Sequence, residues 1–433
     1  MRSAKKHSIR ALGVAAIAAA AVALAACSGT PSGGGTGGGS GPVTLTLAML
    51  SSNKPGMDQV VEDFHKANPD ITVKVNYYES GDAYASAVPP QFAAGNGSDM
   101  VQLIGGSASP YSVGAFAKAG YLADLSNAPW VSSMYEPTKE LFEVDGKVLA
   151  KDFGVSPLAI MSYNKDFFSQ NNLTVPNTFD GLLQLCKQIS GLGVTPIAWA
   201  GASQPVNANN LATIAGNTVF AQDPDWLQQR TDGKTTFADS GWRTALNELQ
   251  SMIDGGCFSP GAGGTALNDM LTSYGSGQSA MMFTYGGLNG RVLAQAPELS
   301  IGMFPFPAPN PSDTRITVQS AGGIAVWNGS KNKDAANTFL SYLSKDDVAA
   351  AFAQSNQLIS TPQATSGNLP EVYSELKTFF TTPGMIIPDV TARWPSTQMN
   401  TQIGASVQGL FTGQKTVDQV LGDMDSFFND ATK

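Results

Sequence analysis

The chain has 433 residues, of which 42% are hydrophobic and 14% charged, and its formal net charge at pH 7 is −9. A chain of this length exceeds one ordinary hydrophobic core and predicts a globular protein of two domains. Its acidic balance would repel phosphate groups, which argues against nucleic acid as a partner.

The first residues read as a targeting segment rather than as part of the fold. Lys5, Lys6 and Arg10 make a basic start, an Ala-rich apolar run occupies residues 11–23, and residues 24–27 read Leu-Ala-Ala-Cys. This order is typical of a signal peptide, and the apolar run is shorter than the roughly 20 residues that a permanent membrane span needs. Removal of residues 1–26 takes away four basic and no acidic residues, so the formal charge of −9 moves to −13.

The cysteine at the expected cleavage site resembles the lipobox of bacterial lipoproteins. This resemblance implies that Cys27 is lipidated and becomes the new N-terminus; a plain signal peptide with an incidental cysteine is the alternative. Residues 28–42, SGTPSGGGTGGGSGP, have nothing to bury and predict a flexible tether. The mature protein is therefore expected at the cell membrane, lipid-anchored on the extracytoplasmic face.

The remaining cysteines and histidines limit the chemistry. Cys186 and Cys257 form an even pair in an oxidising compartment, so they are either joined in a disulfide or present as two buried free thiols. Of the two histidines, His7 lies in the signal segment and leaves His65 alone. One histidine does not build a histidine-based metal site or a catalytic triad, and we expect no metal and no cofactor.

The residues after the tether alternate between strand and helix patterns. Apolar residues alternate over residues 43–50, recur at helical spacing over 57–67 and alternate again over 71–77, while 100–104 reads as a third strand. This βαβ order predicts a parallel sheet with ligands beyond the carboxyl ends of its strands. Asn53, which follows the first strand, and Gln102, on the third, are therefore candidate ligand-binding residues.

Residues 145–168 predict a crossing between two domains. Apolar runs on either side are interrupted by Gly154 and Pro157, which suit a hinge because glycine adds conformational freedom and proline lacks a ladder donor. Asp152 at this crossing is a further candidate for ligand binding. Residues 303–309, MFPFPAP, indicate a second crossing, and a third is expected near residues 344–347.

Several blocks of sequence resemble the family 1 extracellular solute-binding proteins, the sugar-capturing subunits of bacterial ABC importers, which include maltodextrin-binding protein. These blocks are YNKDFF, VPNTFDGLLQLCKQISGLGVTPIA and FAAGNGSDMVQL. The resemblance implies an α/β, two-lobed periplasmic-binding-protein-like fold, in which each lobe is a mainly parallel sheet flanked by helices and a multi-segment hinge joins them. We expect residues 43–155 plus 305–345 in the first lobe and 156–304 plus 346–433 in the second.

The resemblance also implies aromatic platforms for a sugar. Trp394 lies in IPDVTARWP, which looks like the family segment that bears a stacking aromatic; core packing is the alternative. Tyr285 lies close to where the family commonly has a tryptophan, but Gly287 falls nearest that place, and a turn-packing role stays open for Tyr285. Trp199 ends a predicted strand and is a third candidate. For Gln102, Asn53 and Asp152 the alternative is structural hydrogen bonding.

By this resemblance the chain is expected to be the substrate-binding component of an ABC sugar importer, a monomer that captures a mono- or oligosaccharide between two lobes and delivers it to a membrane permease. A secreted glycoside hydrolase with paired carboxylates is the alternative from another class, since 34 acidic residues always permit a pair. The sequence contains no G-x-S-x-G, P-loop or zinc pattern to favour an enzyme. The same fold with a non-sugar solute, such as a peptide or polyamine, is a further alternative.

Overall fold

The computed structural model describes residues 41–396 and 398–433. The alternating apolar side chains of residues 43–50 form the first strand of a sheet, as their periodicity predicts. Residues 42–433 form one compact unit by internal contacts. The predicted signal peptide, Cys27 and nearly all of the tether lie outside the described residues. The strands are β1 Val43–Leu50, β2 Ile71–Tyr78, β3 Met100–Leu103, β4 Glu143–Val144, β5 Lys147–Val148, β6 Ala150–Asp152, β7 Val155–Pro157, β8 Ile160–Asn164, β9 Thr195–Ala198, β10 Ser279–Thr284, β11 Ile301–Phe304, β12 Ile316–Ser320, β13 Gly323–Val326 and β14 Ile386–Pro388.

Helices follow most of these strands, and several begin at a side-chain cap. Thr178 and Thr416, for example, each accept a hydrogen bond from a backbone N–H in the first turn of the helix that follows. The helices are α1 Lys54–Ala67, α2 Gly81–Ala93, α3 Val113–Lys118, α4 Glu136–Lys139, α5 Lys165–Gln170, α6 Phe179–Gly191, α7 Gln204–Ala215, α8 Trp226–Thr231, α9 Trp242–Asp254, α10 Leu267–Gly275, α11 Asn289–Gln295, α12 Lys333–Leu343, α13 Asp346–Ser355, α14 Thr361–Ser366, α15 Lys377–Thr381, α16 Met399–Phe411 and α17 Val417–Ala431.

Two sheets carry the main architecture. The first has the strand order β2-β1-β3-β13-β6, and the second has the order β11-β8-β10-β9. The βαβ unit is present, because β1 pairs in parallel with both β2 and β3. Both sheets are mixed, where we expected mainly parallel pairing: β13 runs antiparallel to its neighbours, and so does β8. The reason is that β13 and β8 each follow a crossing, which brings the chain into the sheet from the opposite direction.

A small third sheet, of order β14-β12-β7, lies at the crossings. β7 joins β6 of the first sheet to β8 of the second, and β12 pairs antiparallel with β7 before the chain returns to the first sheet through β13. Buried side chains of this region, including Val155, Val318 and Ile359, form a separate cluster that we call the hinge cluster. The interruption around Gly154 and Pro157 therefore corresponds to a change of sheet.

Each main sheet has its own buried core. The first core surrounds β1, β2, β3, β6 and β13 and includes Leu47, Phe64 and Phe339, while the second core surrounds β8 to β10 with α6, α7, α9, α16 and α17. Phe352 of α13 belongs to the first core, and α13 packs against α1. The first core thus includes a buried residue beyond residue 345.

Cys186 and Cys257 are joined by a disulfide within the second core. Cys186 lies on α6 and Cys257 follows α9, and both side chains are fully buried. Their Cα atoms are 5.0 Å apart, and the bond closes a loop with a sequence separation of 71 residues. The bond ties α6 to the end of α9 at the edge of the second sheet.

Glu248 on α9 gives a prediction about stability. Its side chain is buried, neither carboxylate oxygen has a hydrogen-bond partner within the described part of the chain, and burial raises its pKa to about 8. Because the folded-state pKa lies above the unfolded one, the protonated glutamic acid contributes stability at low pH that is lost as the pH rises towards 8. We expect the wild-type free energy of unfolding to fall by roughly 3 to 4 kcal/mol between pH 5 and pH 8 through this group.

Urea denaturation at pH 5 and pH 8 measures this change. Glu248→Gln should remove most of the decline, whereas Asp254→Asn, at an exposed position of the same helix, should retain it. An equal decline in wild type and in Glu248→Gln would contradict the assignment.

Candidate functional site

A cavity of about 230 Å³ lies between the first and second cores, at the carboxyl end of β3. Its lining combines residues of both cores with residues of the crossing strand β12. Larger depressions of about 380 and 440 Å³ lie elsewhere, one beside Pro305 and Pro307 and one beside α11 and α13. We take the smaller cavity as the candidate site because it combines an apolar and a polar wall that come from both sides of the hinge, as a ligand that links two bodies requires.

The wall from the first core is apolar. Ile104 directly follows β3, and Ala108 and Leu141 complete this side of the cavity. The carboxyl end of a sheet strand therefore borders the site, as the βαβ pattern predicts.

The opposite wall is polar and draws on distant parts of the chain. Its hydrogen-bonding side chains come from α7, the end of β10, strand β12, the residue after β14, and the first turn of α16. They are Asn209, Tyr285, Gln319, Ser320, Asp389 and Asn400, and Thr391 adds a second hydroxyl close to Asp389. Amides, hydroxyls, a phenol and a carboxylate together offer both donors and acceptors to a ligand.

Asn209 and Tyr285 form a pair within this wall. The Asn209 Nδ2 donates to the Tyr285 hydroxyl over 2.5 Å, while the Asn209 Oδ1 has no partner among the residues that the structure describes. Asn209 is only 7% exposed, so a buried amide with unused hydrogen-bonding capacity borders the cavity. A buried amide oxygen without a hydrogen bond lowers the stability of the folded protein unless a ligand or a water donates a hydrogen bond to it.

Asp389 is the one carboxylate in the described lining of the cavity. Its Oδ1 accepts a hydrogen bond from the Thr391 backbone N–H over 2.7 Å. Burial raises its pKa to about 6, against the opposing effects of the hydrogen bonds from Thr391 and the charge of Arg393. At pH 7 the group is therefore mostly ionised and accepts hydrogen bonds.

Backbone contacts close one side of the cavity. The N–H groups of Ser107 and Ala108 both donate to the carbonyl oxygen of Ala392, over 2.9 and 3.2 Å. An ion pair between Arg393 and Glu140, at 3.0 Å, lies next to this contact. Ala108 packs against the second core and Ala392 against the first. The two bodies are thus in contact beside the cavity.

Of the three predicted aromatic platforms, Tyr285 lines the cavity and the two tryptophans do not. Trp394 is 1% exposed, packs against Phe237 and Trp242, and donates its Nε1–H to Asn400 Oδ1 over 3.0 Å. Trp199 is 2% exposed and donates to the buried Asn207. Both rings are surrounded by second-core side chains and present no face to a ligand in this structure. For Trp394, core packing was the alternative that the sequence left open.

The three predicted polar residues also lie outside the cavity lining. Gln102 accepts a hydrogen bond from the Leu50 backbone N–H and so ties β3 to the end of β1, and Asn53 is buried in the turn before α1. Asp152 pairs with Lys151 over 2.7 Å and accepts a hydrogen bond from Thr361. For Gln102 and Asp152 these contacts are the structural hydrogen bonds that were the alternative.

Sequence reasoning missed Asn209, Gln319, Ser320, Asp389 and Asn400. A signal existed for Asp389, which stands in the same IPDVTARWP segment that drew attention to Trp394. Asn209 belongs to the run Asn-Ala-Asn-Asn, an unusual density of amides inside a helix. Among the described residues, no group of three or more potential ligands is placed to hold a metal ion, and no helix is both long and apolar enough to cross a bilayer.

Comparison with known proteins assigns the family. The profile of the family described as "Bacterial extracellular solute-binding protein" matches residues 50–350. The chain is 25% identical over 327 residues to a binding protein of Brucella abortus, covering 73% of this chain and 75% of that protein. It is 23% identical over 319 residues to the Multiple sugar-binding protein of Streptococcus mutans, covering 72% of each.

Solved structures show the same two-lobed fold. The apo form of RafE from Streptococcus pneumoniae superposes with a TM-score of 0.77 at 20% identity, over 92% of this chain and 100% of that one. RafE in complex with raffinose superposes with a TM-score of 0.72 at 20% identity, over 90% of this chain and 100% of that one. The family match covers more than half of the chain, and the chain therefore belongs to the bacterial extracellular solute-binding proteins, which act on the extracytoplasmic side of the membrane.

Proposed function

We propose that this protein is the substrate-binding component of an ABC importer and captures a mono- or oligosaccharide in the cavity between its two lobes. The observation that carries the proposal is the polar wall of that cavity, which combines one carboxylate, several amides and one aromatic ring. Sugar hydroxyls match donors and acceptors of this kind, and an aromatic face matches the apolar side of a sugar ring. The names of two relatives, a multiple sugar-binding protein and a raffinose complex, point in the same direction.

Capture would depend on closure of the lobes. A ligand that contacts both the apolar wall and the polar wall binds the closed form better than the open one, and this difference in affinity shifts the population towards closure. The closed form would then be presented to a membrane permease, where opening releases the sugar. We assign residues 43–155 plus 305–355 to the first lobe and 156–304 plus 356–433 to the second, because α13 packs with the first core.

The N-terminal segment supports a membrane location for this capture. We propose that residues 1–26 are removed, that Cys27 carries lipid, and that residues 28–42 tether a monomeric body close to its permease. Metabolic labelling with a fatty acid tests this step. Wild type should incorporate the label and Cys27→Ala should not, and label in both would refute the anchor.

Titration of the intrinsic tryptophan fluorescence with a sugar panel, followed by chromatography of the sugar, tests the capture. We expect saturable binding and recovery of the sugar unchanged. Asp389→Asn should weaken binding about 30-fold, since a hydrogen bond to a charged group contributes about 2 kcal/mol. Asp254→Asn should bind like wild type, because Asp254 is exposed and does not belong to the described lining of the cavity.

Two results would contradict this function. The absence of binding to every sugar would refute sugar capture, and cleavage of the sugar would favour the glycoside hydrolase. A hydrolase of the common type needs two carboxyl groups facing the scissile bond, whereas the described lining of the cavity holds the single carboxylate of Asp389.

A further inference from the structure

The size of the cavity limits what it encloses. Its volume is about 230 Å³, below the range of roughly 300–1,000 Å³ that is usual for drug-sized ligands. A cavity below this range favours a ligand of one ring over a longer one.

A backbone contact between the two lobes borders the cavity on one side. Gly106, Ser107 and Ala108 lie directly against Ala392, with two backbone hydrogen bonds between the lobes. The Arg393 to Glu140 ion pair adds a second link beside them. An oligosaccharide that passed through this side would have to break both links, whereas a single ring would leave them in place.

The aromatic side chains near the cavity also favour a ligand of one sugar ring. A linear oligosaccharide that is held by stacking needs successive aromatic faces along its length, and Tyr285 is the one aromatic residue in the described lining. Trp394 and Trp199 are buried behind the wall, where each indole N–H is already bound to an asparagine. One partly buried aromatic ring in the lining suits one sugar ring.

The two walls also differ in chemistry. The first-core wall presents the side chains of Ile104, Ala108 and Leu141, and the hydrogen-bonding side chains stand on the opposite wall. A sugar ring has the same division, with an apolar C–H face and polar hydroxyls. No lysine or arginine belongs to the described lining, whereas Asp389 contributes a negative charge. The carboxylate of an acidic sugar would therefore be repelled by Asp389 and would have no positively charged side chain to pair with.

We propose that the cavity is specific for a single neutral sugar ring, whose C–H face lies against Ile104 and Leu141 and whose hydroxyls bind Asn209, Gln319 and Asp389. This inference rests on the proposed function and narrows it from mono- or oligosaccharides to monosaccharides. Asn209 and Asp389 of the second lobe and Gln319 of the crossing strand β12 make the hydrogen bonds, and Ile104 and Leu141 of the first lobe close over the ring as an apolar cover.

Isothermal calorimetry with a panel of probes tests this specificity. The panel contains neutral aldohexoses and aldopentoses, the disaccharides and trisaccharides built from them, and the corresponding hexuronic acids. We expect at least one monosaccharide to bind 10-fold or more tightly than every oligosaccharide that contains it and than its own uronic acid. Tighter binding of a disaccharide or trisaccharide, or equal binding of the uronic acid, would overturn the inference while leaving sugar capture intact. Binding of no sugar at all would instead overturn the proposed function.

A pair of neighbouring asparagines provides a matched test of the site. Asn209 borders the cavity, whereas Asn210 is buried beside it and donates to the Phe283 carbonyl in the second core. Asn209→Ala should weaken monosaccharide binding at least 10-fold with a smaller loss of stability. Asn210→Ala should lower the midpoint of urea unfolding, with less than a threefold change in the affinity of the folded protein. The opposite pattern would refute the placement of the ring.

Discussion

Replacing Gly106 with alanine is expected to weaken ligand binding about 100-fold while the protein remains folded. Gly106 has a φ of +77°, and a methyl group on its Cα would overlap the carbonyl oxygen of Ala392 on the other lobe. The loop must then move away from Ala392, and the bonds that Ser107 and Ala108 donate to that oxygen are lost. Loss of two hydrogen bonds together with the overlap would destabilise the closed form by about 3 kcal/mol. Affinity falls because the binding-competent form becomes rare.

Calorimetric titration with the best ligand of the panel measures this effect. Gly120→Ala is the matched control, because Gly120 has a similar φ of +73° but no atom within 4 Å of an added Cβ. Both variants carry the strain of an alanine in the left-handed region, about 1 kcal/mol, and only Gly106→Ala disturbs the contact between lobes. Small-angle X-ray scattering of the Gly106 variant with ligand should show a more open form. If both variants bind like wild type, closure does not depend on this contact.

Removal of the disulfide should have the largest effect on stability. The bond between Cys186 and Cys257 closes a loop with a sequence separation of 71 residues, and both cysteines are buried in the second core. In the chain-entropy account, a loop of this length corresponds to about 4 kcal/mol of stabilisation, because the bond restricts the unfolded chain. The double variant Cys186→Ala/Cys257→Ala is expected to lose about this free energy of unfolding.

Urea denaturation of the double variant, followed by circular dichroism, gives the value. Wild type reduced by a phosphine in the unfolded state is the control, because it keeps both sulfur atoms and loses only the bond. The two should agree to within about 1 kcal/mol, the remainder being the two small cavities left by alanine. A double variant as stable as oxidised wild type would show that the bond contributes nothing to stability.

These two predictions concern different parts of the mechanism. The disulfide stiffens the second lobe, which carries Asn209 and Asp389, and a rigid lobe keeps these two side chains in position before the ligand arrives. The Gly106 contact concerns how well the first lobe covers that wall. If Gly106→Ala lowers affinity and the double cysteine variant lowers stability, the two results would show that closure of the first lobe and rigidity of the second lobe have separate effects.

Much of the fold was predictable because its patterns are local. The alternation in residues 43–50 and 71–77 and the helical spacing between them predicted the βαβ unit, and Gly154 and Pro157 marked the change of sheet. Periodicity did not reveal that β13 and β8 run antiparallel to their neighbours. Strand direction depends on where the chain re-enters a sheet, and this in turn depends on the crossings as a set.

The site was far less predictable. Trp394 and Tyr285 looked alike as candidate platforms, yet one is enclosed by Phe237 and Trp242 and the other borders the cavity. No nearby sequence distinguishes them, since the side chains that bury Trp394 come from positions more than 150 residues earlier. Asp152 likewise looked available, and its partner Thr361 is 209 residues away.

The sequence alone therefore determined the class of fold, the family, the position of the first crossing and the pairing options of the cysteines, because each depends on residue types at short spacing. Tertiary structure decided which aromatic ring borders the cavity, which carboxylate lines it and how large the cavity is. The physical reason is that a cavity is the space left when distant elements pack together. Its walls join residues from 104 to 400, and only the packed chain brings their side chains within reach of one ligand.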